Sequence, residues 1–294
     1  MGRLMHELFE QLLVQGAVLT DGAWGTQLQA RGLSSGDCPD EWNLSHPKRV
    51  VEVARAYVEV GSQVILTNTF RANRQALASY GLADRTEEIN RAGAELSLRA
   101  ADGRGRVFGA IGPSGKMLFA GQASVEELQT AFSEQAQVLA AAGVDALVIE
   151  TMSDLAEMKL ALVAAKSTGL AVVASMVFDS GKQNDRTMMG ATTAQVAQEL
   201  TAAGADAIGA NCGQGMASFV EVCRQLRSAT DRPLWIKPNA GIPQLHGDQI
   251  VYDTTADEFA GHAPDVIEAG ASFLGGCCGT GPEFIAALNK TIRP

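Results

Sequence analysis

Residues 141–151, AAGVDALVIET, decide the fold. The glycine suits the left-handed residue that closes a helix, and the apolar run behind it reads as a strand covered on both faces. The same junction returns as AAGADA at 202–207 and EAGASF at 268–273, with EVGSQV at 59–64 as a looser copy. Its recurrence marks one βα unit used repeatedly. Working outward, candidate strands fall at 17–20 (AVLT), 63–68 (QVILTN), 107–112 (VFGAIG), 146–151 (ALVIET), 171–178 (AVVASMVF), 207–212 (AIGANC), 234–239 (LWIKPN) and 272–278 (SFLGGCC). Segments with helical spacing lie between them, among them 124–142, 154–168, 192–203 and 216–228. Eight strands alternating with helices predict an α/β fold, a single (β/α)8 TIM barrel. An open dinucleotide-binding sheet is disfavoured, because TDGAWGT at 20–26 lacks the GxGxxG spacing.

The 294 residues accommodate one barrel of the usual size, about 250 residues, with modest loops. No Pro/Ser linker or charge block divides them, so one domain over 1–294 is expected. Residues 241–256 (GIPQLHGDQIVYDTTA) read as a long, helix-poor loop after the seventh strand, a place where barrels shape their sites. The N-terminus, MGRLMHELFEQLLVQG, puts Leu4, Leu8 and Leu12 on one stripe broken by Glu7 and Glu10. That pattern predicts an amphipathic helix docked on the barrel rather than a secretory signal.

Composition excludes several classes of function. With 46% hydrophobic and 19% charged residues the chain is no disordered segment, and a net charge of −10 argues against nucleic acid as partner. No apolar run of about 18 residues predicts a membrane span. Five unevenly spaced cysteines do not form a disulfide framework, which points to the cytoplasm.

Chemistry in a barrel collects where the strands end. Here those ends carry Asp21-Gly22, Thr67-Asn68-Thr69, Glu150-Thr151, Asn211-Cys212, Asn239 and Cys277-Cys278. Adjacent cysteines cannot both face one side of a strand by alternation, but the flanking glycines of GGCCG give backbone freedom to turn both sulfurs inward. Cys212, two strands away, can reach the same point. Three thiolates would give Zn2+ three protein ligands and leave a fourth position open, the pattern of a catalytic site. The competing reading makes them small buried hydrophobes, which is the default for a lone cysteine. It holds for Cys223, on one helical stripe with Phe219 and Leu226, while Cys38 before Pro39 has no evident role. Asp21 could be only a turn residue, whereas Glu150 closes an apolar run in which an idle charge would be costly. Together they could grip an ammonium group, or form a glycosidase-type pair that would leave the cysteines unexplained. Thr67, Asn68 and Thr69 can equally be satisfying backbone groups. The histidines at 6, 46, 246 and 262 match no metal spacing.

The motifs DGAWGTQLQ (21–29), TNTFRAN (67–73), IGP (111–113), IET (149–151), GANC (209–212), PNAG (238–241) and GGCCGTGP (275–282) span nearly the whole chain. In them the chain resembles the homocysteine S-methyltransferases, most closely the homocysteine-binding module of the cobalamin-dependent methionine synthases. The resemblance implies a (β/α)8 barrel with one Zn2+ on Cys212, Cys277 and Cys278. It places Asp21, Gly22, Thr69 and Glu150 around the amino-acid end of homocysteine, with both carboxylates near the ammonium. An oxygen such as that of Asn239 is a candidate for the fourth metal position when substrate is absent. The implied reaction is attack of a zinc-activated thiolate on an electrophilic methyl group, giving methionine. The donor is left open among S-methylmethionine, S-adenosylmethionine, betaine and a methyl-corrinoid protein, with methylcobalamin entering only on a separate protein. Two alternatives stand beside this: a substrate-holding component of a multi-protein corrinoid system, and methylation of another small thiol or selenol such as selenocysteine. Trp24 and Lys237 depart from the family pattern, in which methionine and tyrosine or histidine are common at those places.

Overall fold

The computed structural model describes residues 5–246 and 249–293. Eight parallel strands carry the architecture: β1 (Val18–Leu19), β2 (Val64–Leu66), β3 (Arg106–Ile111), β4 (Ala146–Met152), β5 (Ala171–Met176), β6 (Ala207–Cys212), β7 (Leu234–Pro238) and β10 (Ala271–Leu274). They pair in the order β1-β10-β7-β6-β5-β4-β3-β2, and a parallel bridge between Thr20 and Val64 brings the two ends together. The sheet thus closes on itself as the expected barrel, with helices between successive strands. The repeated junction glycines explain the regular spacing: Gly61, Gly143, Gly204 and Gly270 all have φ between 91° and 115°, where a Cβ would be strained.

Two apolar layers result from strands covered on both faces. Inside the barrel, Phe108, Trp235 and Phe273 are fully buried, with ring centroids 6.0 Å (Phe108–Trp235) and 5.4 Å (Trp235–Phe273) apart. Outside it, helices such as Val125–Ala141 and Leu155–Lys166 press their apolar faces on the strands. Ser124 caps the first of these with a reciprocal box through Glu127, a start that SVEE spells out locally.

The N-terminal helix, Glu7–Leu13, closes the end at which the strands begin. Its anchor is Phe9 rather than the leucine stripe. Phe9 is fully buried, 5.3 Å from the Phe273 ring and 6.2 Å from that of Phe108, while Leu8 and Leu12 are only partly covered and Leu4 lies outside the described residues. An aromatic ring fills the wide bore better than a leucine row, and its burial contributes roughly 1.5–3 kcal/mol. The segment after β7 also differs from a plain loop. It holds an antiparallel hairpin, β8 (Gln244–His246) and β9 (Gln249–Val251), which follows the end of β7.

Candidate active site

At the mouth, three sulfurs meet. Cys212 Sγ lies 3.6 Å from Cys277 Sγ and 3.8 Å from Cys278 Sγ, and the last two are 4.0 Å apart. Three corners of a tetrahedron around an ion about 2.3 Å from each sulfur would be about 3.8 Å apart, so the trio matches a tetrahedral thiolate site. Among the described residues it is also the one cluster of metal-ligating side chains with that proximity.

The backbone at each cysteine is shaped for this. Cys212 ends β6 with φ of 65° and is followed by Gly213 at 69°, a left-handed pair that turns its side chain over the barrel axis. Cys277 and Cys278 lie beyond the last strand, not on it, so strand alternation does not constrain them. Their loop is strapped on both sides: Cys277 N–H donates to Pro238 O at 2.7 Å, and Gly276 N–H to Asp21 O at 3.0 Å. The glycines of GGCCG serve close approach more than freedom. A Cβ on Gly275 would lie 2.0 Å from Thr20 Oγ1 and 2.5 Å from Asp21 O, and one on Gly276 would lie 2.2 Å from Thr280 Oγ1.

Without a cation the trio cannot be fully ionised. Hydrogen bonds from Cys212 and Cys277 pull the Cys278 thiol down to about 3. Cys212 is pushed far up by its bonds to Cys277 and Cys278 and then by burial. Cys277 is pulled down by Cys212, but its bond to Cys278 and its burial outweigh this and raise it to about 12. The three thiols therefore do not ionise independently, and a divalent ion would favour loss of their protons.

A pocket of about 240 Å³ opens beside the cysteines and is lined by Gly22, Trp24, Asp40, Glu150 and Lys237 among others. Glu150 is nearly buried, and burial raises its carboxyl to about 8 against the opposing charge of Lys237, with Cys277 and Asp21 adding to the rise. No hydrogen-bond partner among the described residues meets that carboxyl group. It is aimed by an irregularity: the β4–β5 register shifts between Ile149 and Met152, and Thr151 takes φ of 61°, an unfavourable value for a β-branched residue. Asn211 holds that strain in place. Its Oδ1 accepts from Thr151 N at 2.9 Å and Ser175 Oγ at 2.7 Å, while its Nδ2 donates to Thr151 Oγ1 at 2.7 Å.

Asp21 is also buried, but it is not free. One carboxylate oxygen accepts from Lys237 Nζ; the other accepts from Trp24 Nε1 at 2.9 Å and Leu66 N at 2.8 Å. Gly22 lies on the pocket wall, where a Cβ would come within 2.4 Å of Thr280 O. Thr69 is not brought to the pocket. It is fully buried, with its hydroxyl 2.6 Å from Thr67 Oγ1 and donating to Ala110 O at 2.7 Å, so it satisfies backbone at a strand end. Asn239 does not offer a free oxygen either. Its Oδ1 accepts from Cys278 N at 3.1 Å and its Nδ2 donates to Gly213 O at 2.9 Å, so it ties together the two cysteine-bearing turns.

The sequence profile of the homocysteine S-methyltransferase family matches residues 18–292. The chain belongs to the homocysteine S-methyltransferase family. The methionine synthase of Mycobacterium tuberculosis (strain ATCC 25618 / H37Rv) is 31% identical over 306 residues, which cover 96% of this chain and 25% of that protein. The methionine synthase of Mycobacterium leprae (strain TN) is 30% identical with the same coverage of 96% and 25%. The chain thus spans about a quarter of the length of the curated relatives it matches. Among solved structures, the metallated form of the homocysteine methyltransferase MmuM from Escherichia coli is 25% identical with a TM-score of 0.81, covering 97% of this chain and 99% of that one. Its oxidized form, at 24% identity, has the same fold with a TM-score of 0.82 over 97% and 99% of the two chains.

Several residues of this site were given no role by the sequence reading. Asn211 and Lys237 each place a strongly polar group in an otherwise apolar strand, and that was the available signal. Asp40 and Arg71 enter the pocket wall from loops, where no pattern announces them. Tyr252, beyond the hairpin, packs on Gly279, where a Cβ would be 2.4 Å from its ring. Cys38 lies buried in a small side cluster with Ala72, Leu77 and Ile89, and Cys223 is a core residue donating to Val266 O at 3.6 Å.

Asp40 supplies a test of this electrostatic picture. Burial raises its carboxyl from 3.8 to about 7, against the pull of the Arg71 N–H at 3.0 Å. For an acid whose folded value is raised, the favourable contribution is complete below the ordinary value and is lost as pH rises through the folded one. Asp40→Asn should therefore gain stability over wild type between pH 5 and pH 8, by about 3 kcal/mol at most. Denaturant melts at the two pH values measure this; an equal difference at both would mean that Asp40 does not carry the buried charge.

Proposed function

We propose that the chain transfers a methyl group to the thiol of homocysteine, with one Zn2+ held by Cys212, Cys277 and Cys278. The spacing of the three sulfurs carries this reading. The metallated relative and the Asp21-to-Cys278 motif order support it, and zinc is the ion that thiolate ligands with an open fourth position suit best. When bound, the ion would let a substrate thiol be used as thiolate at neutral pH.

The chain's own residues supply the rest. Glu150 faces the pocket with an unpaired carboxyl group suited to an ammonium, and Gly22 leaves room for the amino-acid end against the wall. Asn211 and Asn239 fix the turns that present Glu150, Cys212 and Cys278. In the transfer, the carbon–sulfur bond to homocysteine forms as the bond from methyl to donor breaks, and the donor keeps that electron pair. The thiol proton has already left to solvent. No side-chain base is required, and the product is methionine. Free thiols this close suit a reducing compartment such as the cytoplasm. No helix among the described residues is long and apolar enough to cross a membrane.

A second reading makes the donor a methyl group carried on a partner, such as a methyl-corrinoid protein, with this chain as the substrate-holding component. It is favoured by the exposed apolar side chains on loops around the mouth: Met117 and Phe119 after β3, Met188 and Met189 after β5, Ile242 and Leu245 after β7. Zinc-loaded protein incubated with homocysteine and, separately, S-methylmethionine, S-adenosylmethionine, betaine and a methyl-corrinoid protein decides between them. Methionine formed from a small donor, and lost after chelation, supports the first reading; methionine formed only with the corrinoid protein supports the second. No methionine from any donor, with or without zinc, would overturn both.

A further inference from the structure

We propose that Lys237 is a positioning residue that occupies Asp21 and so leaves Glu150 as the one carboxylate open to the substrate ammonium. This rests on homocysteine as substrate. Asp21, Glu150 and Lys237 are all nine-tenths or more buried at the mouth of the same barrel, and Glu150 and Lys237 both line the pocket. Lys237 projects from β7, its Nζ 5.6 Å from the centre of the Trp235 ring and donating to Asp21 Oδ1. The other Asp21 oxygen is taken by Trp24 Nε1 and Leu66 N, so its acceptor directions are used up from three sides. Glu150 has no such partner among the described residues. Two carboxylates that look equivalent in the sequence are therefore unlike in the fold, and the difference is made by Lys237.

The claim has a consequence that a merely structural ion pair lacks: removing the lysine charge should free Asp21 to replace Glu150. The readout is the ratio of dissociation constants, by calorimetry on zinc-loaded protein, for L-homocysteine and for 4-mercaptobutanoate, which is the same thiol acid without the amino group. Wild type should prefer homocysteine by at least about tenfold, and E150Q should bring the ratio close to one. In E150Q/K237M the preference should return to about fivefold or more, because Asp21 now meets the ammonium. In E150Q/K237R it should stay near one, because a guanidinium keeps Asp21 occupied. E150Q/K237Q repeats the test should methionine not be tolerated at 237. The inference is overturned if E150Q keeps the wild-type ratio, or if neither lysine replacement restores it. Wild type that binds both thiols equally overturns this inference alone, while wild type that binds neither overturns the homocysteine reading as well.

Discussion

Replacing Cys212, Cys277 or Cys278 by alanine should each give a folded barrel without bound zinc and without methyl transfer. The loss of activity should be on the order of 10³-fold or more, since changes one shell further out already cost about 10–100-fold in metal affinity or activity. Two remaining thiols leave an ion half-coordinated, and the mutual hydrogen bonds that now hold the trio give them no compensating ligand. The fold should survive because all three are partly exposed residues at strand ends, outside the two packed apolar layers. Cys223→Ala is the contrasting control: it is fully buried on the inner face of the helix Phe219–Ala229, so it should lower the melting temperature and keep the zinc. Elemental analysis with circular dichroism reads both quantities. Stoichiometric zinc in any one of the three variants would remove that cysteine from the ligand set.

Much of this was legible in the sequence because two local rules agree along the whole chain. Continuous apolar runs fixed the strands, and the glycine before them fixed where helices stop, so a barrel followed from periodicity alone. The ends of those strands then predicted which polar residues meet. What escaped has a common physical cause: it depends on side chains that pair across the barrel. That Asp21 is spent on Lys237, or that Asn239 turns its oxygen to the Cys278 N–H, is invisible to patterns read along one strand. Thr69 belongs here too, its hydroxyl turned down to Ala110 O rather than up to the pocket. The anchor of the N-terminal helix was missed for a different reason. Helical spacing ranked the leucines together, whereas the bore of the barrel selects for one large ring. The glycines of GGCCG were found for a partly different reason than the one that holds, since Gly275 and Gly276 are required by Thr20, Asp21 and Thr280 pressing on them.

Glu150→Gln should weaken homocysteine binding by about one to two orders of magnitude and leave zinc content unchanged. Glutamine keeps the shape at the register shift of β4 and removes only the charge. A charge-assisted hydrogen bond contributes roughly 1.5–3 kcal/mol, and about 1.4 kcal/mol corresponds to a factor of ten. The size of the effect should depend on pH, with a sign set by burial. The empty-pocket carboxyl is raised to about 8, so below that value it is mostly protonated, and part of the ammonium's attraction is used to ionise it. Wild-type affinity should therefore climb from pH 6.5 to pH 8.5 while the glutamine variant, with nothing to ionise, lacks that rise. The ratio between the two proteins widens accordingly, up to about tenfold per pH unit below the carboxyl's value. Calorimetric titrations of zinc-loaded protein at three pH values measure it, with 4-mercaptobutanoate as the reference that cancels the ionisation of the thiol. A ratio that stays flat, or homocysteine affinity unaltered by the substitution, would place the ammonium elsewhere in the pocket and leave the buried charge of Glu150 without a partner.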